Sequence, residues 1–314
     1  MRGCGHDKAY ALSRLPMTTI LTAIGVGVLV LLAGNLPWAG FGPISGLGAL
    51  NLRLRTSVPW AILPMAVYLW VYWRFISGTW GAPDSAARRR ANLRANRLPP
   101  GVWSASLAAG ALGFGALLAL LASAARLVRL PSSSPIATPP DMPVTTAFML
   151  LVMSSVVAGV TEEAAFRGYM QSPIERRYGV VVAILINGTF FGLLHFGNHP
   201  SDVLLMLPYY VAVSAVYGGL TWAADSILPA LVLHCAGDVV VLTRWWITGR
   251  PEWQVSAAPP PLVWERGLDA SFVLTAVAFV VLAVLTGWAY QGVRKLREQA
   301  LAAMPPVNRD SFAI

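Results

Sequence analysis

"VAGVTEEAAFRGYM" occupies residues 157–170, at the end of an apolar run that begins at Val144. The run is greasy enough to cross a bilayer, yet Glu162, Glu163 and Arg167 stand close together in it. A charge near the middle of a membrane costs roughly 2.5–3.5 kcal/mol on insertion scales, so such groups persist where they are paired and useful. Glu163 and Arg167 are four apart and share a helix face, which lets them pair. Glu162 projects about 100° away from Glu163 and is left as the free carboxylate.

The rest of the chain supports a membrane setting. It is 56% hydrophobic and 12% charged, with a mean hydropathy of +0.61, whereas soluble domains carry about 25% charged residues. These values predict an all-α, polytopic membrane bundle of about eight transmembrane helices. A span needs about 20 apolar residues. Eight segments qualify: Met17–Trp38, Val58–Ser77, Val102–Leu127, Val144–Phe166, Val180–Phe196, Val203–Ala223, Ile227–Trp246 and Ala270–Tyr290. The fifth is short. The polar, basic N-terminus leads into a run too long for a signal-peptide core, so the first segment reads as a membrane helix. Three regions follow: N-terminal spans and a basic loop over 1–143, a core that carries the charged cluster over 144–247, and a last span with its tail over 248–314.

The net charge of +9 sits in loops beside apolar spans, where it sets orientation and meets anionic lipid. No nucleic-acid motif accompanies it, so nucleic acid is not an expected partner. Arg88 to Arg97, Arg176 with Arg177, the N-terminal basic residues and the tail from Arg294 fall on one side of an eight-span bundle. Both termini are therefore expected in the cytoplasm. The Arg88–Arg97 stretch reads as a surface helix and topology anchor. The excess of Arg (21) over Lys (2) points to a bacterial inner membrane. Cys4 and Cys235 suggest neither a disulfide framework nor a cysteine zinc site.

Few other polar groups lie at membrane depth. His195 closes "FFGLLHFGNHP", and His234 and Asp238 share one helix face in "LVLHCAGDVV"; Asn187 and Arg244 are weaker cases. If the chain reverses at Tyr178–Gly179, two antiparallel helices put Glu162 and His195 at equal depth, on the order of 25 Å from the turn. Pro173 threatens that count through a kink. His195 then lies near the end of its span, so Gly197–Pro200 is expected to line a wet cavity within the protein, the only terms on which irregular backbone is tolerated at that depth.

A carboxylate and an imidazole facing one cavity can turn water into a nucleophile, and a second imidazole can stabilise the oxyanion that forms. The same residues suit a metal: His195, His234 and Asp238 could hold zinc with Glu162 as general base. A metal-free scheme is equally open. His199 stands four after His195, but Gly197 and Pro200 break the helix, which discounts it as a ligand. Cys235 points off the His234 face, so it is not read as a nucleophile.

Three motifs stand in order here: "EEAAFR" (Glu162 to Arg167), "FGLLH" (Phe191 to His195) and "HCAGD" (His234 to Asp238). Together they resemble the CAAX-protease and bacteriocin-processing group (CPBP, or Abi) of intramembrane proteases, over about Val144 to Trp246. The resemblance implies a helical membrane bundle with a cavity reached from the cytoplasmic side, and a peptide or protein substrate at the bilayer. It implies that Glu162 and His195 activate water, that His234 and the residue at Asp238 bind the oxyanion, that Glu163 and Arg167 shape the site, and that Phe191 packs beneath it. The eukaryotic endopeptidase carries Asn where this chain has Asp238. An ionised Asp cannot donate to an oxyanion, so it would be protonated, orient His234, or bind a metal. Two other classes use such residues. Buried Glu, His and Asp build proton relays in transporters, although no inverted repeat is visible. A non-catalytic scaffold or immunity protein could use them as clasps.

Overall fold

The computed structural model describes residues 16–41, 44–54, 57–131, 136, 138–139, 141–195, 203–250 and 259–303. Cys4, the basic N-terminal residues and the Gly197–Pro200 loop with His199 lie outside them. The described chain is a helical bundle. Its long apolar helices are α1 (Pro16–Ala39), α5 (Pro100–Leu127), α6 (Val144–Glu162), α9 (Val203–Ala224), α10 (Leu228–Thr248) and α12 (Ala270–Ala302). Six helices, counting the continuation of α6 to Tyr178, are long and apolar enough to cross a membrane. Two more, α3 (Ile62–Ile76) and α8 (Val180–Leu194), have 15 residues each. At 1.5 Å per residue each is about 22 Å long, short of a bilayer core of about 30 Å. All eight expected apolar segments therefore exist as helices, and the fifth is short as expected. Between the first two lie a two-residue hairpin, β1 (Gly40–Phe41) with β2 (Ile44–Ser45), and a short helix, α2 (Leu47–Arg53).

Proline opens several helices, where its missing N–H costs nothing: it stands at N1 or N2 of α4 (Pro83–Leu93), α5 and α10. The helix starting at Val144 departs from its expected end. It continues without a break through a π-helical segment, Glu163–Met170, into α7 (Gln171–Tyr178). Pro173 explains why. Within a helix its ring crowds the carbonyl four residues back and it donates no hydrogen bond. That carbonyl belongs to Tyr169, and widening the preceding turns relieves the crowding while the helix runs on. Gly179, at φ 84° and ψ 165°, then reverses the chain into α8, at the expected place.

The two arms of this hairpin keep the expected register. Phe166 and Phe191 meet edge to face with centroids 5.0 Å apart, and they are centred on the same turn as Glu162 and His195. Asn187 Nδ2 donates to the Phe166 carbonyl at 2.9 Å. On the other flank, α6 and α10 approach so closely that a Cβ on Gly159 would lie 2.4 Å from Cys235 Sγ and 3.0 Å from its backbone nitrogen. Small residues permit such approach between membrane helices.

Charges gather at the two ends of the bundle. At one end Arg94 makes a two-pronged pair with Glu175, both contacts 3.0 Å, while its Nε meets Asp225 at 2.7 Å. Arg297 meets the other Asp225 oxygen at 2.7 Å. At the opposite end Arg126 pairs with Asp269, and Arg129 with Glu265 of the short helix α11 (Val263–Arg266). The basic stretch needs a correction: the helix ends at Leu93, and Arg94 caps it in the left-handed region at φ 56°. Its guanidinium is turned into the protein and buckles three elements together, a role beyond anchoring to lipid. The last helix also runs past Tyr290 to Ala302, so Arg294, Lys295 and Arg297 are helical.

Candidate active site

The π-segment decides where the opening cluster points. Glu163 and Arg167 are wholly buried, with Nη1 3.1 Å from Oε1. The distance makes an ion pair, although no guanidinium N–H is aimed well enough to count as a hydrogen bond. Aromatic faces take up the remainder of the charge. The Arg167 Cζ lies 5.9, 5.0 and 5.4 Å from the ring centroids of Phe166, Phe191 and Tyr217. A desolvated cation over an aromatic face gains about 2 kcal/mol, which offsets part of the burial cost.

Glu163 has a second partner. Its Oε1 is 2.7 Å from His234 Nδ1, and since a carboxylate only accepts, Nδ1 carries the hydrogen. On the other side of that ring, His234 Nε2 is 3.6 Å from Glu162 Oε2 and 3.6 Å from Asp238 Oδ2. These two contacts are too long to be hydrogen bonds. They are loose, as catalytic contacts often are before substrate arrives. Tyr217 of α9 lies flat on the His234 ring at 5.1 Å and 7°. Glu162 therefore faces the protein interior with its side chain 16% exposed, and Asp238 is more open at 30%.

His195 is the residue after α8. Its Nδ1 is 2.7 Å from the Phe191 carbonyl. A carbonyl accepts, so Nδ1 holds the hydrogen and Nε2 is left as the acceptor. The ring lies between Phe191, at 4.5 Å, and Tyr210, stacked at 4.6 Å and 30°. Phe191 also faces the Arg167 guanidinium, whose Cζ is 5.0 Å from its ring centroid. Phe191 thus separates the Arg167 guanidinium from His195. Asn187 is buried on the α7–α8 hairpin, and Arg244 is exposed.

Among the described residues, no three His, Cys, Asp or Glu side chains gather closely enough to hold a metal ion. His195, His234 and Asp238 as arranged form no such group. Cys235 lies against Gly159, off the His234 face as expected.

Sequence reasoning missed Tyr210 and Tyr217, which support the two imidazoles from α9. Their heptad spacing puts them on one face two turns apart, and that was the available signal. It also missed Gly159, whose lack of a side chain lets α10 bring His234 to the glutamates.

Residues 144–240 match the family model described as Type II CAAX prenyl endopeptidase Rce1-like. Over this segment the chain is similar to that family. The matched residues are less than half of the chain, and they include Glu162, Glu163, Arg167, Phe191, His195, His234 and Asp238. Searches of curated proteins and of solved structures returned no match. The match supports a membrane protease of the CAAX type in general, a family whose substrates are peptides or proteins, and with the apolar helices it supports an integral membrane protein.

Proposed function

We propose that the protein is an endopeptidase that hydrolyses a peptide bond of a membrane-associated peptide or protein by a water activated at Glu162 and His195, without a protein nucleophile. The observation that carries this reading is His234 gripped by Glu163 on one nitrogen, with Glu162 and Asp238 both 3.6 Å from the other.

Water held between Glu162 and the free Nε2 of His195 attacks the carbonyl carbon, its proton passing to Glu162. The carbonyl oxygen becomes an oxyanion facing His234. With Nδ1 committed to Glu163, His234 donates from Nε2 in its doubly protonated form, and Asp238 orients that ring from one helical turn away. Collapse of the tetrahedral species breaks the C–N bond, and Glu162 returns the proton to the departing amine. Glu163 and Arg167 hold His234 in place. The arginine-rich end supports an orientation with that end, and both termini, in the cytoplasm of a bacterial inner membrane.

The test is Glu162→Gln in purified protein against a peptide library. Cleavage should fall by about 10²–10⁴-fold, the contribution of a positioned base, with the thermal unfolding midpoint unchanged. Undiminished cleavage by the variant would remove Glu162 from the mechanism. Proton-coupled uptake into proteoliposomes without cleavage would instead favour a transporter.

A further inference from the structure

A cavity of about 460 Å³ lies at the arginine-rich end, away from the imidazoles, between the first turns of α1, the helix α4, and the helix that carries the glutamates. Its α4 wall presents Arg88, Arg89 and Asn92 on one face, since positions three and four apart are neighbours on a helix. No carboxylate lines it among the described residues. Across from them, α1 contributes Thr19 and Thr22 to the same cavity. Further along α1 the lining turns apolar at Ala23 and Val26, and Tyr169 and Pro173 of the long helix join them.

Arg89 is fixed in place. Its Nη2 donates to the Trp80 carbonyl at 2.6 Å, its Nη1 donates to the Ser85 hydroxyl, and its Cζ sits 4.8 Å from the Phe75 ring centroid. Asn92 Oδ1 accepts from Arg176 at 2.8 Å, which leaves its amide hydrogens as donors. Arg88 is exposed and forms no ion pair with any described residue. The cavity therefore combines a held guanidinium, a spare one, amide and hydroxyl donors, and an apolar lower half.

We propose that this cavity binds the phosphate of an anionic glycerophospholipid, its headgroup held by Arg88, Arg89 and Asn92 and its glycerol end resting on Ala23, Val26 and Pro173. Guanidinium pairs with phosphate through charge-assisted, two-pronged hydrogen bonds, and that chemistry is shared by a lipid phosphodiester and a free phosphate. The gradient from donors to apolar lining fits the lipid, because a free phosphate has no use for the apolar half. The site is also more than a basic surface, since one wall is a membrane span. Nothing in the proposal depends on the peptidase reading.

The experiment counts phosphatidylglycerol retained by the full-length purified chain in detergent, using native mass spectrometry. Phosphatidylcholine and inorganic phosphate are the comparison ligands. One phosphatidylglycerol should be held well above the phosphatidylcholine level, and Arg88→Gln should weaken it about ten-fold, one charge-assisted contact's worth. Thr22→Val, of equal size on an exposed position, should weaken it less. Lys295→Gln, which removes an equal charge at the same end of the bundle, should leave retention unchanged. Thermal unfolding midpoints like the parent's will establish that the variants are folded. Equal losses with Arg88→Gln and Lys295→Gln would mean diffuse surface attraction and overturn the site. So would equal retention of phosphatidylcholine, and inorganic phosphate competing away the lipid at equal concentration would overturn the lipid assignment.

Discussion

Two of the ionic clusters among the described residues differ in how completely their charges are matched. At the arginine-rich end Arg94 gives both prongs to Glu175 and its Nε to Asp225, and Arg297 takes the remaining Asp225 oxygen. Gln171 adds a bond to Glu175 at 3.0 Å. In the deep cluster three carboxylates share one arginine and one imidazole. Glu163 Oε2 has no hydrogen-bond donor, and Glu162 and Asp238 approach His234 only to 3.6 Å. A half-satisfied buried network is costly, and in the first cluster every charge has an opposite charge beside it. The deep cluster holds unused acceptors next to a partly open side chain. That is the arrangement expected of groups whose partners include a substrate.

The comparison breaks most visibly at Glu163. Glu163→Ala removes the carboxylate from a buried arginine and from His234 Nδ1 together, and breaking a buried pair in this way costs about 3–5 kcal/mol. Unfolding by denaturant in detergent should show that loss. The double variant Glu163→Leu with Arg167→Met should regain much of the stability, since apolar replacement of a buried pair is often neutral, while peptide cleavage stays absent. If the double variant still cuts, the pair is a clasp and no more.

The next largest effect belongs to Gly159. A side chain there meets both the sulfur and the backbone nitrogen of Cys235, so Gly159→Val must push α10 from α6. Overpacking of this kind costs about 1–3 kcal/mol. Activity should fall further than stability, because the displaced helix carries His234 and Asp238. Cleavage by the folded variant at the parent's rate would separate helix spacing from catalysis.

Arg94→Met probes the saturated cluster and should do less. Its pairs are partly buried, with side chains 13% and 12% exposed for Arg94 and Glu175. Glu175 keeps Gln171 and Asp225 keeps Arg297, so the loss is on the order of 2 kcal/mol, below that of Glu163→Ala. Cleavage per folded molecule should be unchanged. A loss of activity there equal to that of Glu163→Ala would erase the distinction between the two clusters.

Much of this was legible from residue types and spacing. Apolar runs located the eight helices, since a bilayer imposes one length scale on all of them. The i, i+4 spacing of Glu163 with Arg167, and of His234 with Asp238, gave two of the contacts. The Tyr178–Gly179 reversal gave the register of Glu162 with His195. What the sequence hid are contacts between segments distant in the chain. Nothing about Glu163 alone says that it reaches His234, 71 residues on; that follows from a missing side chain at Gly159. The π-turns were hidden because Pro173 can kink a helix or widen it, and residue types alone do not say which. Arg94 read as one more cation in a basic loop, and only the fold shows it turned inward to Glu175 and Asp225.

The smallest effect lies at the far end, outside the spans, and sharpens the comparison through pH. Asp269 caps α12 by accepting from the Phe272 N–H at 2.9 Å and pairs with Arg126. Arg126, and after it the Phe272 N–H, hold its carboxyl down to about 2, below the usual carboxylate range. A group depressed in the folded state stabilises the fold above its ordinary titration range. That contribution is lost as pH falls from the unfolded value, about 3.9, through the folded one. Asp269→Asn should therefore lower the unfolding midpoint at pH 7. Parent and variant should converge as the pH approaches 2, and cleavage per folded molecule should remain at the parent's level. With its side chain 38% exposed, solvent screens the pair and keeps the shift small. A midpoint gap that persists undiminished at pH 2 would show that Asp269 acts through packing or through the cap's shape, and not through its charge.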